Sequence, residues 1–219
     1  MATVVNVLFH GIGTPRRELE PGEAKYWVTV DRFHEVLDEV GTWPRARISF
    51  DDGNASDVEY GLPELLRRNL TGTFFMLAGR IDQAGSITAD GIRELHGAGM
   101  RIGTHGMWHR SWRNLTSRDS RDELVTARDR IAEVIGAPVD HAGLPLGQYD
   151  RRVLAELRRL GYARVFTSDR RTAEGDDWLQ ARFSVCEYDT AASIRAAVYE
   201  QSPLRRARGV TVGMVKRWR

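Results

Sequence analysis

Residues 46–53 read ARISFDDG, a short strand-forming run that ends in two adjacent aspartates and a glycine. Six other runs of similar length and composition occur along the chain, at residues 3–9, 72–77, 100–104, 139–142, 163–167 and 182–186. Apolar and β-branched residues dominate each run, and polar residues end it. Together with residues 46–50, these runs predict seven short buried strands.

The segments between these runs carry apolar residues at helical spacing, as in Phe33, Val36, Leu37 and Val40. Gly136 stands where one of these helices should end, since glycine adopts positive φ without strain. Strand and helix therefore alternate, which is typical of parallel strands joined by helical crossovers. A barrel and a doubly wound sheet both fit this alternation.

Size and composition predict a compact domain with a substantial core, since 42% of the 219 residues are hydrophobic and 28% are charged. These values exclude disordered, collagen-like and repeat proteins. No apolar run approaches the roughly 20 residues that a bilayer crossing needs. The first ten residues lack the pattern of an export signal, so we expect a cytoplasmic protein. A single cysteine, Cys186, excludes an internal disulfide and is expected to be buried in a strand.

The net charge of +2 hides a strongly basic end. Six cations and no acid occur in the last eighteen residues: Arg205, Arg206, Arg208, Lys216, Arg217 and Arg219. We therefore divide the chain into a barrel domain, 1–202, and a basic tail, 203–219. The tail suits contact with an anionic membrane surface, with a solvated or packed terminus as the alternative. The rest of the chain is net acidic, so no nucleic-acid partner is expected.

Candidate site residues, most of them polar, follow the predicted strands. They are His10 after the first, Asp51 and Asp52 after the second, His105 and His109 after the fourth, Pro145 and Gly147 after the fifth, and Asp169 after the sixth. The carboxyl ends of parallel barrel strands open onto one face, where enzymes of this architecture build their sites. We therefore expect these side chains to lie close together.

His105 and His109 have the spacing that aims two imidazoles at one point. Two imidazoles and one carboxylate form a zinc site with an open position. The adjacent Asp51 and Asp52 would repel each other unless one of them bound a cation, and the other would then be free to take a proton. Surface or core histidines, and a turn or helix cap at Asp-Asp-Gly, are the structural alternatives.

Three segments together resemble the ordered motifs of the polysaccharide deacetylase family, also called NodB-homology proteins or family 4 carbohydrate esterases. They are SFDDG at 49–53, HGMWH at 105–109 and LPLG at 144–147. The resemblance implies a single-domain α/β fold, a distorted (β/α)7 barrel. It also implies metal-dependent hydrolysis of N- or O-acetyl groups on amino sugars, with zinc as the expected metal. The expected substrate is an acetylated amino sugar, an oligosaccharide or a lipid-linked glycan.

The resemblance also assigns roles to individual residues. Asp52, His105 and His109 would bind the metal, and Asp51 would be the catalytic base. The backbone N–H of Leu146 would stabilise the oxyanion of the tetrahedral intermediate.

Two departures from the family pattern affect these roles. Gly143 stands where the family has an arginine that orients the base, so we predict that Arg182 orients Asp51 instead. No histidine follows His141 to act as the general acid. His10 is the predicted substitute, with Asp169 as a second candidate and a structural role for His10 as the alternative. A binding protein without turnover, and a C–N hydrolase of a small non-sugar amide, are the competing functions.

Overall fold

The computed structural model describes residues 2–199, so the predicted basic tail lies outside the described residues. The strands are β1 Thr3–Phe9, β2 Gly11–Ile12, β3 Trp27–Val28, β4 Ala46–Asp52, β5 Gly72–Met76, β6 Arg101–Thr104, β7 His141–Gly143, β8 Arg164–Thr167, β9 Ala173–Glu174, β10 Leu179–Ala181 and β11 Phe183–Ser184. The helices are α1 Val30–Gly41, α2 Leu62–Arg67, α3 Ala89–Gly97, α4 Ser117–Arg121, α5 Ala127–Ile135, α6 Arg151–Arg159 and α7 Ala191–Tyr199. π-Helical turns at Asp57–Gly61 and Asp122–Thr126 lead into α2 and α5.

The main sheet is a nearly closed barrel of parallel strands in the order β10-β8-β7-β6-β5-β4-β1-β11, with β9 antiparallel to β1. Residues 179–184 complete it, because β10 pairs with β8 while β11 pairs with β1. The Asn6 side chain joins the two edges by donating hydrogen bonds to Gln180 Oε1 (3.1 Å) and the Ala181 carbonyl oxygen (2.9 Å). The predicted α/β barrel is confirmed.

The last predicted strand, 182–186, begins earlier than its sequence suggests. Pairing starts at Leu179, stops at Arg182 and resumes at Phe183. Because Gln180 is polar although it is buried, the first half of this strand does not form an apolar run in the sequence. Arg182 therefore lies at a break in the strand, with its side chain fully buried.

Helices pack on the outside of the sheet through the faces that their sequences predict. α1 buries Phe33, Val36, Leu37 and Val40. Phe33 meets Phe9 edge-on (ring centroids 5.0 Å apart), and Phe50 stacks on Phe74 (4.4 Å). Among residues 2–199, no helix has the length and apolar character that crossing a membrane requires.

Alternate residues of β4 face the barrel interior, as the two-residue period of a strand requires. Arg47 lies near its amino end, Ser49 in the middle and Asp51 near its carboxyl end. Ser49 and Arg47 line a cavity at one end of the barrel, and Asp51 lines another at the opposite end. One strand thus supplies polar side chains to both ends of the molecule.

Candidate active site

Asp52, His105 and His109 form a compact group at the carboxyl ends of the strands. Asp52 ends β4, His105 directly follows β6, and His109 lies in the loop beyond it. Asp52 Oδ1 is 3.6 Å from Nε2 of His105 and 3.6 Å from Nε2 of His109. One candidate ligand atom from each residue lies within 4.8 Å of the other two.

These distances fit a shared cation. Ligand atoms about 2.0–2.2 Å from one tetrahedral metal lie about 3.4 Å from each other. Asp52 Oδ1 is buried and has no hydrogen-bond partner, although buried carboxylate oxygens are normally paired. A divalent cation would satisfy this oxygen, and the three residues therefore suit a metal such as zinc.

The other ring nitrogen of each histidine is held by the protein. His105 Nδ1 lies 2.9 Å from the Gly143 carbonyl oxygen, and His109 Nδ1 lies 2.6 Å from Glu20 Oε2. Both imidazoles therefore turn Nε2 toward Asp52, which is the usual arrangement around metal-bound histidines. A Cβ at Gly143 would lie 3.0 Å from His105 Nδ1, so a side chain at this position would crowd His105.

Replacing Glu20 with glutamine should weaken zinc binding by about 10–100-fold, because the partner that orients His109 and raises its basicity is lost. Competition with a chromophoric chelator measures this affinity. Glu18→Gln removes an exposed carboxylate nearby and is the matched control. Equal zinc affinities in the two variants would show that Glu20 does not support the ligand.

Asp51 is held by Arg182 inside the barrel. Arg182 donates from Nη1 to Asp51 Oδ1 (2.7 Å) and from Nη2 to Oδ2 (2.8 Å), and both side chains are buried. Arg182 Nε also donates to the Thr167 carbonyl oxygen (3.1 Å). Burial opposes ionisation of Asp51, but the charges of Arg182 and His105 outweigh it and lower the pKa of Asp51. The carboxylate is therefore ionised, and its Oδ2 lies 3.8 Å from His105 Nε2.

His10 lies between β1 and β2, where its ring stacks on Tyr26 with centroids 4.7 Å apart. Its Nδ1 is buried without a hydrogen-bond partner. Burial lowers the pKa of His10, although the nearby Asp52 and Asp51 carboxylates partly oppose this. The imidazole is therefore neutral at neutral pH.

A cavity of about 260 Å³ joins seven of the residues selected from sequence, namely His10, Asp51, Asp52, His105, His109, Leu146 and Gly147. Arg182 lies behind Asp51. Asp169 accepts a hydrogen bond from the Tyr149 hydroxyl (2.6 Å) and does not line this cavity. The structure thus brings together the residues selected from sequence except Pro145 and Asp169, and Arg182 contacts the group through Asp51.

Three of these residues have left-handed backbone conformations that side chains rarely adopt. φ is 78° at Asp52, 41° at His109 and 58° at Leu146. Such conformations cost of order 1–3 kcal/mol each and cluster at functional sites. With these backbone conformations, the side chains of Asp52 and His109 approach each other, and Leu146 is exposed at the cavity.

Sequence analysis missed two carboxylates that organise the site. Glu20 lies in a loop without a motif. The buried Glu123 accepts hydrogen bonds from the Met107 backbone N–H (2.7 Å) and from Arg110 Nε (2.7 Å), which fixes the loop that carries His109. A Cβ at Gly106 would lie 2.4 Å from Glu123 Oε2, so this loop also needs glycine there. A lone glutamate in a charged helical segment gives no signal of such a role.

Asp57 is a third carboxyl group that sequence analysis missed, and neither of its oxygens has a hydrogen-bond partner. Burial, followed by the charges of Asp52 and Asp51, raises the pKa of Asp57 well above its usual value. The folded protein therefore holds a proton on Asp57 that the unfolded chain releases, and stability is lost as the pH rises above about 4 toward the folded-state pKa.

Asp57→Asn should therefore stabilise the metal-free protein at pH 7 and stabilise it much less at pH 4. Urea unfolding at both pH values measures the difference. Asp176→Asn, which removes an exposed carboxylate, should show no such trend. A stability difference for Asp57→Asn that does not grow with pH would contradict a raised pKa.

Comparison with known proteins places this geometry in a family. The polysaccharide deacetylase model matches residues 42–165. The putative polysaccharide deacetylase YxkH of Bacillus subtilis is 22% identical over 134 residues, covering 61% of this chain and 48% of the relative. The peptidoglycan-N-acetylmuramic acid deacetylase PdaA of the same organism is 27% identical over 124 residues, covering 55% of this chain and 45% of the relative. The chain thus spans about half the length of these curated relatives.

Solved structures share the fold over most of the chain. A putative polysaccharide deacetylase from Bacillus anthracis superposes with a TM-score of 0.77 at 17% identity, covering 90% of this chain and 69% of that one. The Streptococcus pyogenes deacetylase PplD, solved with acetate, gives 0.75 at 16% identity, covering 90% and 98%. Because the family model matches more than half of the sequence, including the segments that carry Asp52, His105 and His109, the chain belongs to the polysaccharide deacetylase family.

Proposed function

We propose that this protein is a metal-dependent hydrolase that removes an acyl group, specifically N-acetyl, from a sugar or glycan. The observation that carries the proposal is the group formed by Asp52, His105 and His109 beside the ionised Asp51. Membership of a deacetylase family supports the same reaction class. An acetylated amino sugar, an oligosaccharide or a lipid-linked glycan is the proposed substrate.

The proposed metal ligands are Asp52, His105 and His109, and zinc is the proposed metal because it favours nitrogen ligands combined with a carboxylate. When bound, such a cation supplies Lewis acidity toward a carbonyl oxygen and lowers the pKa of a water molecule. The fixed Nε2 positions described above support this assignment, since each is oriented through the opposite ring nitrogen.

Asp51 acts as the base that takes a proton from the attacking water. Its low pKa keeps the carboxylate ionised before reaction, and Arg182 fixes its plane through two hydrogen bonds. Arg182 therefore takes the orienting role that an arginine at position 143 would have in the family pattern. The backbone N–H of Leu146, at the rim of the same cavity, donates to the developing oxyanion.

His10 passes a proton to the leaving nitrogen. Its imidazole is neutral before reaction because burial lowers the pKa of His10. It can therefore accept the proton that Asp51 takes from the attacking water and donate it to the leaving nitrogen. The unpartnered Nδ1 supports this role, since the ring nitrogen is not committed to a structural hydrogen bond.

The size of the cavity favours a second candidate, a C–N hydrolase of a small non-sugar amide. About 260 Å³ lies at the small end of ligand pockets and suits one acylated group better than a length of polymer. The two candidates share every proposed residue role and differ only in substrate.

Acetate release tests the proposal. The zinc-loaded protein should release acetate from acetylated chito-oligosaccharides, a chelator should abolish the release, and added zinc should restore it. Asp52→Asn should bind zinc poorly and fail to recover. Release of product from small cyclic imides or amides but not from glycans would favour the second candidate. Zinc binding without turnover of either substrate class would instead indicate a binding protein.

The cytoplasmic location and the membrane contact of residues 203–219 are part of this proposal and rest on sequence alone. Full-length protein should sediment with liposomes that contain anionic lipid, and a chain truncated before Leu204 should sediment less, because it lacks six cations. Equal sedimentation of the two proteins would eliminate the tail as a membrane contact.

A further inference from the structure

A second and larger cavity, of about 760 Å³, lies at the amino-terminal end of the barrel, opposite the proposed active site. Three arginines line it, namely Arg47 of β4, Arg101 of β6 and Arg164 of β8. Barrel interiors are normally filled by layers of bulky apolar side chains, and the amino-terminal face normally contributes to stability rather than function. Three guanidinium groups in this position need another explanation.

Strand register places the three arginines in one ring. Arg47 pairs with Asn6 of β1, Arg101 with Thr73 of β5, and Arg164 with His141 of β7. Each arginine stands at the first or second residue of its strand, and all six residues of these pairs line the cavity. The ring is therefore built by the sheet itself rather than by mobile loops.

The positive charge of this ring is only partly balanced. Among the residues that line the cavity, Asp140 is the one carboxylate, and it is shared between His141 Nδ1 (2.6 Å) and Arg101 Nη1 (3.8 Å). Arg47 donates only to neutral oxygens, those of the Gln180 side chain (3.3 Å) and the Gly175 backbone (3.2 Å). Within residues 2–199, no carboxylate lies within ion-pair distance of the Arg164 guanidinium.

The pKa values of neighbouring groups agree with an excess of positive charge in this cavity. Burial, and then the proximity of Arg164, lowers the pKa of Arg47. Burial also lowers the pKa of His141, despite its hydrogen bond with Asp140, and Arg101 and Arg164 act in the same direction. His141 is therefore neutral at neutral pH. The three arginines face Asp140 inside the cavity, and Asp176, which does not line the cavity, lies near enough to Arg47 to oppose the fall in its pKa.

This cavity is separate from the proposed active site. Ser49 lines it from within the barrel and lies 3.3 Å from Nη1 of Arg182, whose charge is balanced by Asp51. A layer of side chains that includes Ser49 and Arg182 thus stands between the two cavities. The cations of the amino-terminal ring are not part of the catalytic machinery.

We propose that the amino-terminal end of the barrel binds a phosphate group through Arg47, Arg101 and Arg164. The excess of positive charge suits a phosphate anion, and guanidinium groups match phosphate oxygens in bidentate geometry. The cavity volume suits a small phosphorylated ligand. Inorganic phosphate, a soluble phosphomonoester and a phosphomonoester lipid headgroup share this chemistry.

Isothermal titration with inorganic phosphate, at an ionic strength held constant with sodium chloride, tests the proposal on the full chain. We expect saturable binding at one site and a weakening of at least about tenfold in Arg164→Gln, which loses a charge-assisted hydrogen-bond donor. Arg152→Gln makes the same charge change on the exposed surface of α6 and should bind like the unaltered protein. Circular dichroism establishes that each variant is folded. If Arg164→Gln does not fold, Arg101→Gln replaces it, since this side chain is 57% exposed.

Vesicles of phosphatidylcholine with phosphatidic acid form the second arm and distinguish the source of the phosphate. Binding of inorganic phosphate that depends on Arg164 supports a soluble ligand. Vesicle binding that depends on Arg164, without binding of inorganic phosphate, supports a lipid headgroup. The proposal is overturned if neither probe binds, or if Arg164→Gln and Arg152→Gln bind both probes equally well.

Discussion

Replacing Arg182 with methionine is expected to lower the free energy of unfolding by about 3–5 kcal/mol. The side chain is fully buried and makes two hydrogen bonds to Asp51. Without the guanidinium, Asp51 remains in the barrel as a buried carboxylate that has lost its cation, and its pKa rises. Chemical denaturation of the metal-free protein measures the loss.

Two further variants isolate the cause of this loss. Arg159→Met removes an arginine that is 68% exposed and paired with Glu156, and it should cost far less stability than Arg182→Met. The double variant Arg182→Met with Asp51→Leu should recover most of the lost stability, because no unpaired charge is then buried. If the single variant loses no more than Arg159→Met, the ion pair does not stabilise the barrel.

The strands that sequence predicts best are those in which apolar residues predominate. The prediction for residues 3–9 matches β1 at both ends because five valine, leucine and phenylalanine residues outweigh the single central Asn6. β10 was not predicted, because its central Gln180 is polar and is satisfied only by partners distant in sequence, including Asn6. Side-chain hydrogen bonds across the barrel produce no periodic pattern of apolar residues in the sequence.

The proposed metal ligands could be selected from sequence because their spacing and their positions after strands both carry information. Asp52 and His105 each lie where a strand ends, and His109 follows at a fixed distance. The supporting groups could not be found in this way. Glu20 reaches His109 across 89 positions of sequence, and neither a charge pattern nor a motif connects the two residues. Tertiary packing alone creates that contact.

Arg182 could be predicted only in part from the sequence. The missing arginine at Gly143 required another cation near Asp51, and the last predicted strand offered one. The sequence could not indicate that this arginine interrupts the strand, or that it stacks over Phe75 with 5.0 Å between the guanidinium carbon and the ring centroid. The contact between Arg182 and Asp51 was therefore predictable, while the backbone break at Arg182 was not.

Replacing Asp51 with asparagine is expected to lower the rate of acetate release by about 10²–10⁴-fold, the range for loss of a general base. Asparagine has nearly the same shape and can still accept a hydrogen bond from Arg182, but its amide cannot take a proton from water. Zinc binding should persist, because Asp51 is not among the three proposed ligands. Coupled enzymatic detection of acetate and chelator competition measure the two properties separately.

The separation of rate from metal affinity distinguishes the roles of the two adjacent aspartates. Asp52→Asn should lose zinc and activity together, since it removes the ligand oxygen that has no other partner. Asp51→Asn should lose activity alone. Asp51→Asn also leaves the buried charge of Arg182 without a carboxylate, which lowers the stability of the fold. Rates are therefore compared per folded molecule. If Asp51→Asn turns over at the unaltered rate, the base lies elsewhere and the proposed division of labour between Asp51 and Asp52 is wrong.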